Sequence, residues 1–181
     1  KQSAGATGGL VLGFHLPLMG QQALAQGAAA TSAPPEVNAW VVIQPDDRVV
    51  IRIARSEMGQ GTLTGLAQLV AEELDCDWSK VSTEYPTPGQ NLARNRVWGN
   101  FSTGGSRGIR ESHDYVRKGG AAARMLLIQA AASQWQVPVA ECEASQSRVS
   151  HAGTGRSASY GQLAAAAAKL TPPAEVPLKD P

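Results

Sequence analysis

The chain has 181 residues, 43% hydrophobic and 17% charged, with sixteen basic and fifteen acidic side chains and a formal net charge of +1. That balance excludes a polybasic nucleic-acid binder and an acidic solvating tail, and the length and apolar fraction suit one packed domain. Cys76 and Cys142 stand far apart and outside any C-x-x-C pair, which argues against a disulfide scaffold and against a zinc or iron–sulfur site built by this chain alone; both thiols read as buried structural groups.

In chain order, the run from Gly8 to Met19 is apolar but short and broken by Gly9, Gly13 and Pro17, and Ala23-Leu24-Ala25 offers an A-x-A cleavage pattern. Residues 1–25 therefore read as the remnant of an export signal, with an interfacial or buried helix as the alternative. Weak hydrophobicity and the leading Lys1-Gln2-Ser3 resemble the end of a twin-arginine signal, which predicts export to the periplasm. The absent initial Met and the linker-like Leu178-Lys179-Asp180-Pro181 lead us to expect a piece of a longer protein. Residues 26–36 are rich in Ala, Ser, Thr and Pro and read as a linker.

The module proper is expected over residues 37–170. Trp40–Ile43 and Val49–Ile53 are β-branched runs around Pro45-Asp46-Asp47-Arg48, which predicts a hairpin. Leu63, Leu66, Ala67, Val70, Ala71 and Leu74 recur at helical spacing and predict a helix over Thr62 to Leu74. Val81–Tyr85 alternates and reads as a strand, followed by a loop from Pro86 to Gly105 with short extended stretches near Arg96 to Phe101. One long helix is expected from Ile109 to Trp135, and Gly119-Gly120 inside it implies a kink or a close backbone approach. A strand near Arg148–His151, a turn at Gly153-Thr154-Gly155 and an alanine-rich helix from Tyr160 to Leu170 complete the module. Residues 171–181, opening on Thr171-Pro172-Pro173, read as an exit linker. The fold class is α+β, with mixed strands and two to three helices.

Two glycine-bearing loops each precede a predicted helix. In Glu57-Met58-Gly59-Gln60-Gly61, the glycines permit positive φ, and the N–H groups of the next helical turn are available to an anion. Ser102-Thr103-Gly104-Gly105-Ser106-Arg107-Gly108 has the same consequence. Between Arg94 and Arg124 seven basic residues face two acidic ones, a local net of +5 that points to an anionic ligand or an acidic partner, or to a solvated basic face. The second loop also satisfies G-x-S-x-G, with Asp114 and His151 downstream in the order a hydrolase needs. A hydrolase is disfavoured: no parallel-sheet pattern surrounds the loop, and Asp114 falls within the helix that the loop opens.

Ser56 to Thr64 followed by Ala67-Gln68-Leu69-Val70-Ala71-Glu72-Glu73-Leu74 resembles the molybdopterin-binding region of xanthine dehydrogenases and aldehyde oxidases, most of all the beta subunit of isoquinoline 1-oxidoreductases. Gly104–Gly108, the helix through Gly120–Leu126 and Tyr160-Gly161-Gln162-Leu163 fit the same resemblance. It implies part of a molybdopterin-binding domain in an enzyme that hydroxylates an N-heteroaromatic or aldehyde carbon with oxygen from water. Molybdenum–molybdopterin in the cytosine dinucleotide form is the implied cofactor. Iron–sulfur clusters on a separate small 2Fe-2S subunit and a small-molecule substrate are the implied partners, with a membrane-bound cytochrome, a quinone or oxygen left open as the electron acceptor. By the same resemblance, Met58, Gly59, Gln60, Gly61, Gly105 and Ser106 match the cofactor-lining turns. The family's catalytic glutamate belongs to a later segment, so Glu57, Glu72 and Glu73 are not assigned that role, no metal ligand is assigned, and this stretch alone is expected to be inactive. A non-catalytic module holding an anionic partner through the basic Gly/Ser loop is the alternative.

Overall fold

Strands β1 (Val41–Ile43) and β2 (Val49–Arg52) form the expected hairpin in the computed structural model, which describes residues 35–180. The export signal and most of the first linker lie outside the described residues. The turn closes by a bond from the Gln44 amide to the Arg48 carbonyl (2.8 Å), with Asp47 left-handed at φ 69°. Strand β3 (Val81–Glu84) lies parallel to β2, registering Val49 with Val81 and Arg52 with Glu84. Parallel pairing needs a crossover, and helix α1 (Thr62–Leu74) supplies it. Leu66, Val70 and Leu74 on α1 are buried, each contributing about 1.5–3 kcal/mol.

Three helices of eight residues or more carry the module, and two shorter ones were not expected. Helix α2 (Pro88–Ala93) starts from a capping box in which the Thr87 hydroxyl accepts from the Gln90 amide and the Gln90 side chain accepts from the Thr87 amide. The extended stretches predicted after it do not form. Asn95 and Arg96 are left-handed, and the Asn91 side chain pins the turns by accepting from the Trp98 amide and donating to the Gly99 carbonyl. Helix α3 (Arg107–Arg110) is separate from α4 (His113–Trp135), so the single long helix expected from Ile109 is two, divided at Glu111-Ser112.

Helix α4 runs unbroken through Gly119-Gly120 and packs along α1. Of the two expectations for that pair, close approach holds: a Cβ on Gly120 would run into the Val70 carbonyl of α1, and one on Gly119 would lie 2.8 Å from the Trp40 ring. The cost of about 1 kcal/mol per helical glycine is offset by burying Ala121, Ala123, Leu126 and Leu127 against the core.

A second sheet is an antiparallel meander of β4 (Cys142–Ser145), β5 (Arg148–His151) and β6 (Arg156–Ser159). Only β5 was anticipated, because Cys-Glu-Ala-Ser and Arg-Ser-Ala-Ser carry no β-branched or aromatic signal. Helix α5 (Tyr160–Ala167) ends short of the expected Leu170 and starts from a Ser159/Gln162 capping box. The Tyr160 hydroxyl donates to the Leu74 carbonyl (2.6 Å), and burial pushes that phenol above its ordinary range. The Gly161 amide donates to Asp47 Oδ1 (2.8 Å), so α5 locks both the end of α1 and the hairpin turn.

Candidate functional site

The first glycine loop joins β2 to α1 and is held by its own side chains. Gly59 and Gly61 are left-handed, at φ 93° and 76°. The Glu57 carboxylate turns back onto the loop: Oε1 accepts from the Gly59 (2.7 Å) and Gly61 (2.9 Å) amides, and Oε2 from the Leu63 amide (3.0 Å). Those amides, Leu63 first and Gly61 next, hold the Glu57 carboxyl below its ordinary range. The N-terminus of α1 thus carries an internal anion that takes the Leu63 amide, so the N–H groups of its first turn are not all spare. Gln60 also closes the loop, with Nε2 donating to the Ser56 carbonyl (2.9 Å) and Oε1 accepting from the Met58 amide. Met58 stands at the tip, 71% exposed.

The second loop comes to the first through two contacts from β2's exit. The Ser56 amide donates to Thr103 Oγ1 (3.0 Å), across 47 residues of sequence. Arg55, only 5% exposed, reaches Ser112 Oγ (3.0 Å), Asn100 Oδ1 (3.1 Å) and the Ser102 carbonyl. Gly105 is left-handed, and so is Ser106 at φ 57°. Helix α3 then packs on the start of α1, where a Cβ on Gly108 would lie 2.7 Å from Thr62 Oγ1. Because α3 is a single turn, the second loop does not open onto a long helix dipole, contrary to expectation.

Between the loops lies a cleft of about 360 Å³. Met58 and Gln60 line it from one side, and Thr103, Gly104, Gly105 and Ser106 from the other. Four of the six residues nominated from sequence therefore meet in one cleft, while Gly59 and Gly61 shape the turn that presents them. A larger depression of about 600 Å³ runs past Gln68, Leu69, Glu72, Cys76 and Trp78, and it holds none of the nominated residues. The Cys76 thiol in it is pushed up to about 12 by burial, so it is a protonated, inert group at neutral pH.

The basic stretch does not form one charged face. Arg94 pairs with Glu36 (3.0 Å), Arg117 with Glu73 (2.6 Å) and Arg124 with Asp75 (3.1 Å), all partners distant in sequence. Lys118 pairs with Asp114 (2.8 Å), and Arg107 and Arg110 lie 3.9 and 3.8 Å from Glu111. Glu36, Glu73 and Asp75, which a linear count leaves outside its window, cut the local +5 to about +2. The hydrolase arrangement also fails. Asp114 is engaged with Lys118, and His151 sits in the second sheet, accepting from the Thr154 amide at Nδ1 (3.1 Å) and facing Glu141 at Nε2 (2.9 Å).

Arg55, Glu57 and Thr103 were not found by sequence reasoning. Glu57 has a readable signal, a carboxylate two and four residues before the glycines whose amides it takes, whereas Arg55 and Thr103 depend on contacts with no local trace. Among the described residues no group of three His, Cys, Asp or Glu side chains could hold a metal ion, and no helix is long and apolar enough to cross a membrane.

Residues 10–180 match the family model for the molybdopterin cofactor-binding domain. The beta subunit of isoquinoline 1-oxidoreductase from Brevundimonas diminuta is 38% identical over 146 residues, covering 78% of this chain and 19% of that protein. The membrane-bound aldehyde dehydrogenase (pyrroloquinoline-quinone) from Gluconacetobacter polyoxogenes is 35% identical over 130 residues, covering 72% of this chain and 16% of that one. Among solved structures, the reconstituted CO dehydrogenase from Oligotropha carboxidovorans aligns with a TM-score of 0.52 at 23% identity, over 70% of this chain and 15% of the other, a likeness of fold. The chain thus spans less than a fifth of the length of these relatives.

Proposed function

The chain belongs to the molybdopterin cofactor-binding domain family of the molybdenum hydroxylases, and from that premise we propose that the cleft between its two glycine loops holds part of the molybdopterin. The observation that carries the reading is the Ser56–Thr103 bond, which brings two loops 47 residues apart into one cleft. The donor set fits. With no cluster of protein metal ligands among the described residues, a metal here arrives with its own ligands, as a dithiolene-borne molybdenum does. The cleft wall combines the apolar Met58 and Ile109 with glycine backbone and the neutral polar Gln60, Thr103 and Ser106, a mostly apolar lining with a few polar groups that suits a flat heterocycle.

Each residue has a stated part. Gln60 spends one amide hydrogen on Ser56 and keeps the other for the cleft. Ser106 lines the cleft with a hydroxyl, and Gly104 and Gly105 let a ligand approach the backbone closely. Glu57 holds the turn shut rather than acting as a base, since both its oxygens are engaged by amides. When bound, the molybdenum group supplies the two-electron chemistry that inserts water-derived oxygen at an electron-poor carbon. We place the reaction on an N-heteroaromatic or aldehyde substrate, with the cofactor in the cytosine dinucleotide form and electrons leaving through iron–sulfur clusters on a separate 2Fe-2S subunit. The final acceptor is a membrane-bound cytochrome, a quinone or oxygen, and twin-arginine export to the periplasm is the route we favour. The catalytic base and most of the substrate pocket belong to segments beyond this stretch, so residues 1–181 alone are inactive in this reading. The alternative, a module gripping an acidic partner through the basic loop, is weakened because Arg94, Arg117 and Arg124 pair with carboxylates outside the stretch and Lys118 with Asp114, which leaves Arg107 and Arg110 sharing Glu111.

The test is metal and nucleotide analysis of the complete subunit, with Gly104→Val, at a glycine that is not left-handed and has open space at its Cβ, and Ser106→Leu as variants that fill the cleft. Stoichiometric molybdenum with cytosine nucleotide in the wild type, and depletion in both variants, is the expected result. Full molybdenum content in the two cleft-filling variants would place the cofactor elsewhere.

A further inference from the structure

We propose that Arg55 is a positioning residue that fixes the span of the second loop and its distance from the first, and so governs how firmly the cleft retains its ligand. The identity of that ligand rests on the molybdopterin reading above. Arg55 is the last residue before Ser56, so its backbone belongs to the root of the first loop while its side chain lies entirely among residues of the second. Its fork holds both ends of that loop. Nη1 donates to Asn100 Oδ1 and to the Ser102 carbonyl at the entry, and Nε donates to Ser112 Oγ at the exit. Nη2 lies 3.9 Å from Glu111 Oε2, also at the exit. The segment between these roots, Thr103 to Arg110, contains every second-loop residue of the cleft wall. Ser112 passes the clamp on to α4, because its Oγ also accepts from the Tyr115 hydroxyl (2.7 Å).

A buried guanidinium is an expensive way to stabilise a fold, since well-packed apolar side chains do as well or better. What it offers instead is geometry: several donors in one rigid plane, which no apolar residue and no lysine reproduces. Here that plane spans the gap between entry and exit of a loop whose tip has as its other side-chain hydrogen bonds the Thr103 hydroxyl to Ser56 and Arg110 to the Gly105 carbonyl (3.4 Å). The clamp therefore sets the cleft width without itself lining the cleft.

The experiment is hydrogen–deuterium exchange on the complete subunit, paired with molybdenum content and its release rate on dilution, for wild type, Arg55→Lys, Asn100→Ala and Ser112→Ala. Arg55→Lys should speed exchange of the amides in 56–61 and 102–110 roughly ten- to hundredfold, the scale of one lost charged hydrogen bond, with the α1–α4 core unchanged. It should also release molybdenum faster. Asn100→Ala and Ser112→Ala, which remove one bond at one end each and keep the charge, should give smaller effects of both kinds and serve if Arg55→Lys does not fold. Faster exchange spread evenly through the core, or loosened loops with wild-type molybdenum release, would overturn the proposal. A wild-type subunit without molybdenum would overturn the cofactor reading, and this proposal with it, whatever the exchange data show.

Discussion

Arg117 Nη2 lies 2.6 Å from Glu73 Oε1, and that carboxylate is fully buried near the C-terminal end of α1. The same guanidinium donates to the Lys179 carbonyl (2.6 Å), while Glu73 Oε2 accepts from the Lys179 amide (3.2 Å). Lys179 Nζ continues the network to Asp75 (2.6 Å), which Arg124 also reaches (3.1 Å). Two helices and the segment after α5 are thus joined by charges that satisfy one another. The exit segment, read from sequence as a linker, is anchored to α1 and α4 at Lys179.

Breaking this pair from one side leaves a charge without its partner. Glu73→Ala should destabilise the module by about 3–5 kcal/mol in urea unfolding, the range for a buried pair cut on one side. Glu73→Gln keeps an acceptor for Arg117 and should cost less. A loss within about 0.5 kcal/mol for Glu73→Ala, the scale of an ordinary surface change, would show that Arg117 finds another partner.

Glu57 makes the first loop pH-dependent, and the sign follows from its depressed carboxyl. A group whose folded pKa lies below its ordinary value, here 4.5, stabilises fully above that value and loses the contribution as pH falls through the folded one. The Gly59, Gly61 and Leu63 amides should therefore stay protected at neutral pH and open only as acidification below 4.5 reaches the lowered folded pKa, seen by amide NMR in an acid titration. Glu57→Gln should weaken the same protection at neutral pH. If Glu57→Gln keeps wild-type protection of these amides at neutral pH, the ionised carboxylate is not what closes the turn.

Gly61 isolates backbone strain from packing. At φ 76° it is left-handed, yet no atom lies within 4 Å of where a Cβ would stand. Gly61→Val should cost about 1–3 kcal/mol through φ alone, and Gly61→Asn distinctly less, since asparagine visits this region readily. Equal losses for both substitutions, measured by denaturant unfolding, would mean that the turn needs glycine for some reason other than its dihedral.

How far the sequence carries is set by the range of the physics behind each feature. Helix α1, the first hairpin and β5 were legible because their signals are local: helical spacing from Leu66 to Leu74, and β-branched runs around Pro45-Asp46-Asp47. The strand β4 and the break at Glu111-Ser112 were not, because a meander partner and the Arg55–Ser112 bond across 57 residues decide them. The glycine loops announced a site, and the cleft gathers Met58, Gln60, Gly105 and Ser106. The electrostatics misled, since Glu36, Glu73 and Asp75 neutralise arginines far along the chain.

Gln60 is the residue on which loop closure and ligand contact can be separated. Its amide bonds to Ser56 and Met58 lie in an exposed loop, so each is worth no more than about 0.5–1.5 kcal/mol to stability. Gln60→Ala in the complete subunit should thus lower stability by about 1–2 kcal/mol at most, while activity falls further because a cleft-facing amide is lost as well. Gln60→Glu is the sharper variant. It keeps an acceptor for the Met58 amide but loses the donor to the Ser56 carbonyl and brings a negative charge to the cleft wall. If the amide serves the ligand, Gln60→Glu should cut activity and molybdenum content at least as deeply as Gln60→Ala. Should both variants keep wild-type activity while the melting point drops, Gln60 would be a loop staple alone, and the first loop would have no part in holding the cofactor.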